Sequence, residues 1–441
     1  MTGKDIMPCR RSQREEMPVG TKPVSRRTFL RTSVQTGALV AAPQFIPGSV
    51  LGKDGAVPPS DRVVLGAIGI GGRGRDVLLS FLGQPDVQFV AICDIRAERR
   101  DAVKKMADER YENSDCVKYN DLHEILARGD IDAVLIATGD RWHTTASVLA
   151  ARAGKDIYCE KPCSMTIAES RSLADTVRRF GRIYQAGTQR RNIANFVYAI
   201  ELVHSGKLGK LQAVHANTLD PKVTHNWLPA QPEPPKNEVD WDRWLGPCPW
   251  RPFNTEYVQG KWRGYFDFHG GGILEWGSHT VDLCQWANKA DDTAPVEYEP
   301  HGNHLNCRYA NGVKLVMRDT GWEQKLGTCC VRFEGDEGWI EAGDYARIRL
   351  SDNLTALHKT FNERGTDPKW HVRDFVNCVK SRAAAQSDAM AAGQSHIACH
   401  AAYIAWQLGR KLKFDPAKDE FIGDEEANRM RSRAKREPWR I

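Results

Sequence analysis

Val63-Val64-Leu65-Gly66-Ala67-Ile68-Gly69-Ile70-Gly71-Gly72-Arg73-Gly74 decides the fold. Its first eight residues are an apolar run with the length of a buried parallel strand. The run passes into Gly69-x-Gly71-x-x-Gly74, and apolar residues at helical spacing follow at Val77, Leu78, Phe81 and Leu82. Gly83, Pro85 and Asp86 break that helix. A second apolar run, 87–93, ends at Asp94, twenty residues beyond Gly74. Strand, glycine turn, helix, strand and acid together make a dinucleotide-binding unit. Gly69 permits the tight turn, Gly71 lets the backbone approach a pyrophosphate, and Gly74 lets helix and strand pack closely. Ile70, Gly72 and Arg73 complete the turn, whose helix N-terminus presents free N–H groups to phosphate. Asp94 suits a ribose hydroxyl and repels a 2′-phosphate, which favours NAD; Arg96, with Arg99 and Arg100, would accommodate NADP instead.

The alternation continues outward. A short helix is expected at Leu122–Leu126, a strand at 131–138, a helix at 144–153, and a strand at Asp156–Cys159. A helix at 166–180 and a strand at 182–187 complete the set. This pattern predicts an α/β fold with a doubly wound parallel sheet, and places ligands at the carboxyl ends of its strands. Thr138, Trp142-His143 and Glu160-Lys161-Pro162 follow such ends. The expected divisions are a leader and linker over 1–60, a nucleotide-binding domain over 61–188, and a substrate-binding and oligomerisation domain over 189–441.

Beyond residue 189 the pattern changes. A helix at 195–205 leads to a strand at 211–217, and 225–265 is a proline-rich loop region. Six tryptophans fall between 227 and 276: Trp227, Trp241, Trp244, Trp250, Trp262 and Trp276. Aromatic faces beside polar groups suit a pyranose ring, and they equally suit the packing of a long loop. Strand-like runs occur at 313–318, 328–333 and 339–342, and helices are expected at 370–381 and 393–411.

The leader carries most of the net charge. Residues 1–42 hold 8 Lys/Arg against 3 Asp/Glu, and the remainder holds 54 against 53. Nothing in the body therefore indicates nucleic-acid binding. Ser25-Arg26-Arg27-Thr28-Phe29-Leu30-Arg31 precedes the mildly apolar 36–42, with Ala41-Ala42 as a candidate cleavage point. That is the pattern of a twin-arginine signal, and it predicts the Tat export machinery as a partner and an extracytoplasmic destination. The Tat route carries folded proteins, so a cofactor is expected to be loaded before export and held tightly. The 12 cysteines show no CxxC pair and no zinc-type spacing, which excludes a metal-centre reading from the sequence.

Oxidising an alcohol needs a base for the hydroxyl proton while hydride leaves the carbon. His279 has a suitable intrinsic pKa. If 275–286 is helical, Glu275, His279 and Asp282 share one face. A carboxylate beside the imidazole would orient it. Lys161 would polarise the substrate oxygen.

The residues Gly69–Gly74, Asp94, Arg141-Trp142-His143, 154–162 ending in Glu160-Lys161-Pro162, and Gly187-Thr188-Gln189-Arg190-Arg191 resemble the Gfo/Idh/MocA family, named for glucose-fructose oxidoreductase and inositol dehydrogenase. So do 271–282, 333–340 and the closing Glu437-Pro438-Trp439. The resemblance covers about residues 62–441. It implies a Rossmann domain followed by an α/β domain with an open, mostly antiparallel sheet, a substrate cleft between them, and a homo-oligomer. It implies a nicotinamide cofactor and a sugar or polyol substrate, with Lys161 beside both and His279 as acid/base. Arg190, Trp262, Trp276 and Asp282 are the expected substrate contacts. Many members carry aspartate four residues before the histidine; this chain carries Glu275. Three activities fit: net oxidation of a sugar, a glycosidase or lyase using transient oxidation, and a non-catalytic nucleotide-binding sugar sensor.

Overall fold

Val63–Ile70 forms β1, the central strand of a six-stranded parallel sheet, in the computed structural model, which describes residues 57–302 and 304–440. The other strands are β2 (Val87–Cys93), β3 (Val117–Tyr119), β4 (Ala133–Ala137), β5 (Asp156–Cys159) and β6 (Tyr184–Ala186). Their order is β3-β2-β1-β4-β5-β6, so the winding reverses between β1 and β4. A crevice opens at such a reversal, outside the strands' carboxyl ends. Gly69 stands there with φ 70°, and a Cβ on it would lie 2.4 Å from the Thr138 methyl. A Cβ on Gly74 would lie 2.7 Å from that of Ala137. Both close approaches require glycine.

Five helices flank this sheet: α1 (Gly72–Leu82), α2 (Ala97–Tyr111), α3 (Leu122–Leu126), α4 (Asp140–Arg152) and α5 (Ile167–Phe180). Helix α4 starts at Asp140 rather than 144, because Gly139 is the extended residue that precedes it. His143 therefore lies in the first turn of a helix that points at the crevice.

The second sheet has nine strands: β7 (Leu211–Asn217), β8 (Glu297–His301), β9 (His304–Arg308), β10 (Lys314–Arg318), β11 (Val331–Gly335), β12 (Trp339–Gly343), β13 (Arg347–Leu350), β14 (Leu412–Asp415) and β15 (Glu420–Phe421). The order is β13-β12-β11-β7-β10-β9-β8-β14-β15, and only β7 and β10 pair in parallel. This is the expected open, mostly antiparallel sheet. The remaining helices are α6 (Ala194–His204), α7 (Trp241–Leu245), α8 (Gly272–Ala287), α9 (Lys369–Ser381), α10 (Ala389–Leu408) and α11 (Glu425–Arg429). Helices α6, α8 and α10 pack on one face of the second sheet, and their apolar residues form one core with it. Helix α9 returns to the first sheet, where Phe375 meets Phe81 and Tyr158 edge-on. Helix α10 starts at Ala389 rather than 393 because Asp388 caps it, accepting from the N–H groups of Met390 and Ala391, both at 2.9 Å.

The proline-rich stretch builds its own small core from Trp241, Trp244, Phe253, Tyr257 and Phe268. Trp227 and Trp250 remain exposed. The cysteines from Cys93 onward are all buried free thiols. No helix among the described residues is long and apolar enough to cross a membrane. The twin-arginine stretch and its cleavage point lie outside the described residues.

Candidate active site

The crevice at the carboxyl ends of β1, β4 and β5 is a cavity of about 540 Å³, closed on its far side by the N-terminal turns of α8. The glycine turn forms one wall. A Cβ on Gly72 would meet nothing within 4 Å, and one on Gly71 only Arg99 Nη1 at 3.6 Å. The turn thus leaves open space where a ligand backbone can approach. Asp94, at the end of β2, is buried and accepts from the N–H groups of Ile70 (3.0 Å) and Arg96 (2.9 Å). Burial pushes its carboxyl pKa up despite those bonds and the nearby Arg99 charge. Arg96 lines the same wall, its Nη1 donating to Val258 O at 2.7 Å. Thr138, beside it in the cavity, donates its hydroxyl to Gly139 O.

Glu160 is held by Gln189 Nε2, which donates to it at 2.9 Å, and lies 3.4 Å from Arg73 Nε. It therefore ties the β5 end to the glycine turn. His143 Nδ1 faces Pro162 O at 2.7 Å, so Nδ1 carries the proton and Nε2 is left as an acceptor. That Nε2, together with Arg73 Nη2, Arg141 Nη1 and His279 Nδ1, is buried with no hydrogen-bond partner among the described residues. All four residues line the cavity. Buried polar atoms are rarely left unpaired, so several around one cavity mark a place that a polar ligand completes. The open glycine cradle, the acid at the end of β2 and these unpaired atoms fit a nicotinamide nucleotide.

The catalytic end centres on Lys161. Its Nζ donates to the Glu275 carbonyl (2.9 Å) and to Glu275 Oε1 (3.0 Å). The other carboxylate oxygen lies 3.0 Å from His269 Nε2. His269 Nδ1 accepts from the N–H groups of Gly264 and Gly271, both at 3.1 Å, so its proton sits on Nε2 and points at Glu275. Burial alone would raise the Glu275 pKa, but the bonds from His269 and Lys161 hold it well below the usual carboxylate range. His279 lies one turn along α8. Burial, reinforced by the charges of Arg190, Lys161 and Arg73, pushes its pKa well below the ordinary value, so its imidazole is neutral.

Several expected contacts fall elsewhere. Glu275 does not orient His279: its carboxylate is committed to Lys161 and His269. Asp282 shares the helix face but is buried away from the cavity, bonded to Arg191 at 2.7 and 2.9 Å. That pair neutralises a charge otherwise stranded in the core. Arg190 does line the cavity, but its guanidinium grips Asp344 at 3.0 and 2.8 Å, so its charge is already matched. Trp262 stands in the cavity wall; Trp276, half-buried on α8, does not. The structure adds His269, which no motif marks, as the partner of Glu275. Gln189, Arg141, Trp244 and Trp439, quoted above without a site role, also line the cavity, and Trp439 stands edge-on to Trp142 at 4.7 Å.

Comparison with known proteins identifies the two domains. Residues 63–188 match the description "oxidoreductase family, NAD-binding Rossmann fold", and residues 201–441 match "oxidoreductase family, C-terminal alpha/beta domain". Among curated relatives, a glycosyl hydrolase family 109 protein of Saccharopolyspora erythraea is 30% identical over 210 residues, 43% of this chain and 45% of the relative. Inositol 2-dehydrogenase of Salmonella typhimurium is 30% identical over 185 residues, 41% of this chain and 53% of the relative. The chain thus spans about half the length of these relatives. Among solved structures, the WlbA dehydrogenase of Bordetella pertussis, in complex with NADH and UDP-GlcNAcA, superposes with TM-score 0.58 at 17% identity, over 80% of this chain and 100% of that one. The aldose-aldose oxidoreductase of Caulobacter crescentus, complexed with glycerol, gives TM-score 0.57 at 18% identity, over 80% and 100%. At that identity the structures speak for the fold. The two matched regions together take in most of the sequence, and the chain belongs to the Gfo/Idh/MocA oxidoreductase family.

Proposed function

We propose that the protein oxidises a hydroxyl-bearing carbon of a sugar or polyol with a tightly held nicotinamide nucleotide. The observation that carries this reading is the meeting, in one cavity, of an open glycine cradle, Lys161 fixed by Glu275, and the neutral His279. A nicotinamide nucleotide in the cradle supplies the hydride acceptor. Gly69, Ile70, Gly71, Gly72, Arg73, Gly74, Asp94, Thr138, His143 and Glu160 surround it. Asp94 favours NAD over NADP, since its buried carboxylate repels a 2′-phosphate. Lys161 donates a hydrogen bond to the substrate oxygen, and His279 takes the hydroxyl proton. Glu275 and His269 hold the Lys161 ammonium in place. Trp262 offers an apolar face to the sugar ring.

A second reading is favoured by the name of the Saccharopolyspora relative. In a glycosidase, oxidation of a ring hydroxyl acidifies the neighbouring C–H, the aglycone leaves by elimination, water adds across the double bond so formed, and the hydride returns to the ketone. The same residues serve both cycles. Free sugars, polyols and aryl glycosides offered to the purified protein separate them: lasting nucleotide reduction without aglycone release supports net oxidation, and aglycone release without lasting reduction supports the glycosidase. Neither response to any of them would leave the sensor.

Residues 1–60 serve, in this proposal, as a twin-arginine leader and linker, with 61–188 and 189–441 as the nucleotide-binding and substrate domains. Export would remove the enzyme from the cytoplasmic nucleotide pool, which is why a tightly held cofactor completes the reading; a homo-oligomer is what the family resemblance adds to it.

A further inference from the structure

Arg141 is the one guanidinium in the cavity wall that is both nearly fully buried and without a carboxylate within ion-pair distance among the described residues. It sits in the first turn of α4 and is 5% exposed. Its Nε donates to Trp244 O at 2.7 Å, and its plane stacks on the Trp244 ring with Cζ 3.4 Å from the centroid. Trp262 and Phe268 close around it at 5.8 and 5.6 Å. Asp140, its neighbour in sequence, is occupied elsewhere: it accepts from Gly270 N at 3.2 Å and faces His269. Nη1 is left buried without a partner.

Leaving a cation in this state is unfavourable. Burial lowers the Arg141 pKa to about 10, more than the nearby Asp140 charge offsets. A ligand anion would compensate it. The position of Nη1 indicates which anion. It lies 2.4 Å from where a Cβ on Gly139 would stand, and Gly139 follows Thr138, which packs against Gly69 of the glycine turn. Arg99 approaches the same turn over Gly71 and is near enough to depress Arg141 further. Two guanidiniums without carboxylate ion pairs therefore stand near one another, Arg99 over the glycine turn and Arg141 at the end of β4 that packs against that turn.

We infer that Arg141 is a cofactor-binding residue, its Nη1 pairing with a phosphate oxygen of the nucleotide in the glycine cradle. This rests on the nucleotide-binding reading proposed above. The aromatic packing holds the guanidinium in place before the ligand arrives, so little side-chain entropy is lost on pairing. It also offers a physical reason for tight cofactor retention: once the nucleotide leaves, the buried charge is stranded again.

The test uses the full chain, emptied of nucleotide, as wild type and as Arg141→Met and Arg141→Lys. Calorimetric titration with ADP-ribose, which carries the pyrophosphate, is compared with titration by adenosine, which does not. Melting temperatures check the fold. Arg141→Met is expected to weaken ADP-ribose by about 10- to 100-fold, the range of one charge-assisted hydrogen bond, and adenosine by less than about twofold. Arg141→Lys, which keeps the charge and loses Nη1, is expected to fall between, and decides the matter should the methionine variant not fold. Equal weakening of both ligands, or none of either, overturns the inference; the second result would assign the anion to the substrate. Failure of the wild type to bind ADP-ribose would instead overturn the nucleotide reading itself.

Discussion

His396 gives the turn that carries Lys161 a pH dependence that can be worked out in advance. On α10 its Nε2 accepts from Cys163 N at 3.0 Å, and its Nδ1 donates to Ala392 O at 2.6 Å. Together with the His143 bond to Pro162 O, this fastens the Lys161-Pro162-Cys163 turn from two sides. The bond from Cys163 needs the neutral ring. Burial lowers the His396 pKa from its ordinary 6.5 to about 4, partly offset by the Ala392 bond, with His143 and Lys161 adding to the depression. Because the folded pKa lies below the unfolded one, the unfolded chain takes up the proton first as pH falls. The contribution to stability is full above pH 6.5 and is lost down to about pH 4. At about 1.4 kcal/mol per pH unit the whole window is worth about 3 kcal/mol, of which about 2 kcal/mol is lost between pH 7 and pH 4.5. His396→Gln reproduces the neutral ring's pattern, with one acceptor for Cys163 N and one donor for Ala392 O, and does not titrate. Urea unfolding of wild type and variant at the two pH values measures the difference. The wild type should lose about 2 kcal/mol more than the variant. Equal losses would refute the reasoning.

Glu275→Gln leaves one carbonyl oxygen for two donors, so either Lys161 Nζ or the His269 N–H faces an amide N–H; turnover should fall by about 100-fold with a smaller change in KM, read from initial rates on whichever sugar the protein accepts. Glu275→Asp, one methylene shorter, should keep one of the two contacts and lose less. Gly69→Ala places a methyl 2.4 Å from Thr138 Cγ2 in a left-handed conformation; it should cost about 2–4 kcal/mol in denaturant unfolding and abolish nucleotide retention on gel filtration. Asp94→Ser removes the carboxylate at the end of β2, and should weaken NAD by about tenfold while improving NADP, measured by titration of the emptied protein.

Much of the nucleotide half could be read from the sequence because its information is local. Val63–Ile70 and Asp156–Cys159 stand in the structure with the bounds their apolar runs suggest, since a strand buried on both faces writes itself as an unbroken hydrophobic run. Glycine spacing likewise reports the turn, because Gly69 and Gly74 are each required by a single neighbour. The second sheet was less legible. Strands β8, β9 and β13 are short and alternate exposed with buried residues, including charged ones, so no run announces them. The pairing of Asp282 with Arg191 spans 91 residues and carries no periodic trace; helical spacing placed Asp282 on the right face without revealing that its charge was already spoken for. His269 was hidden for the same reason. Its role depends on two backbone N–H groups fixing its tautomer, and only the folded loop shows them. The Asp-to-Glu departure at 275 was visible from the resemblance, and the structure supplies its sense: the longer side chain reaches Lys161 and His269 together.

The most direct test of the account is to purify the protein, denature it, identify any released nucleotide by absorbance and mass, and record its oxidation state before and after exposing the intact protein to sugars, polyols and glycosides. The expected result is close to one nicotinamide nucleotide per chain, predominantly NAD, that becomes reduced or drives aglycone release when an accepted carbohydrate is added. Protein that carries no nucleotide and binds neither NAD nor NADP when they are supplied would contradict it.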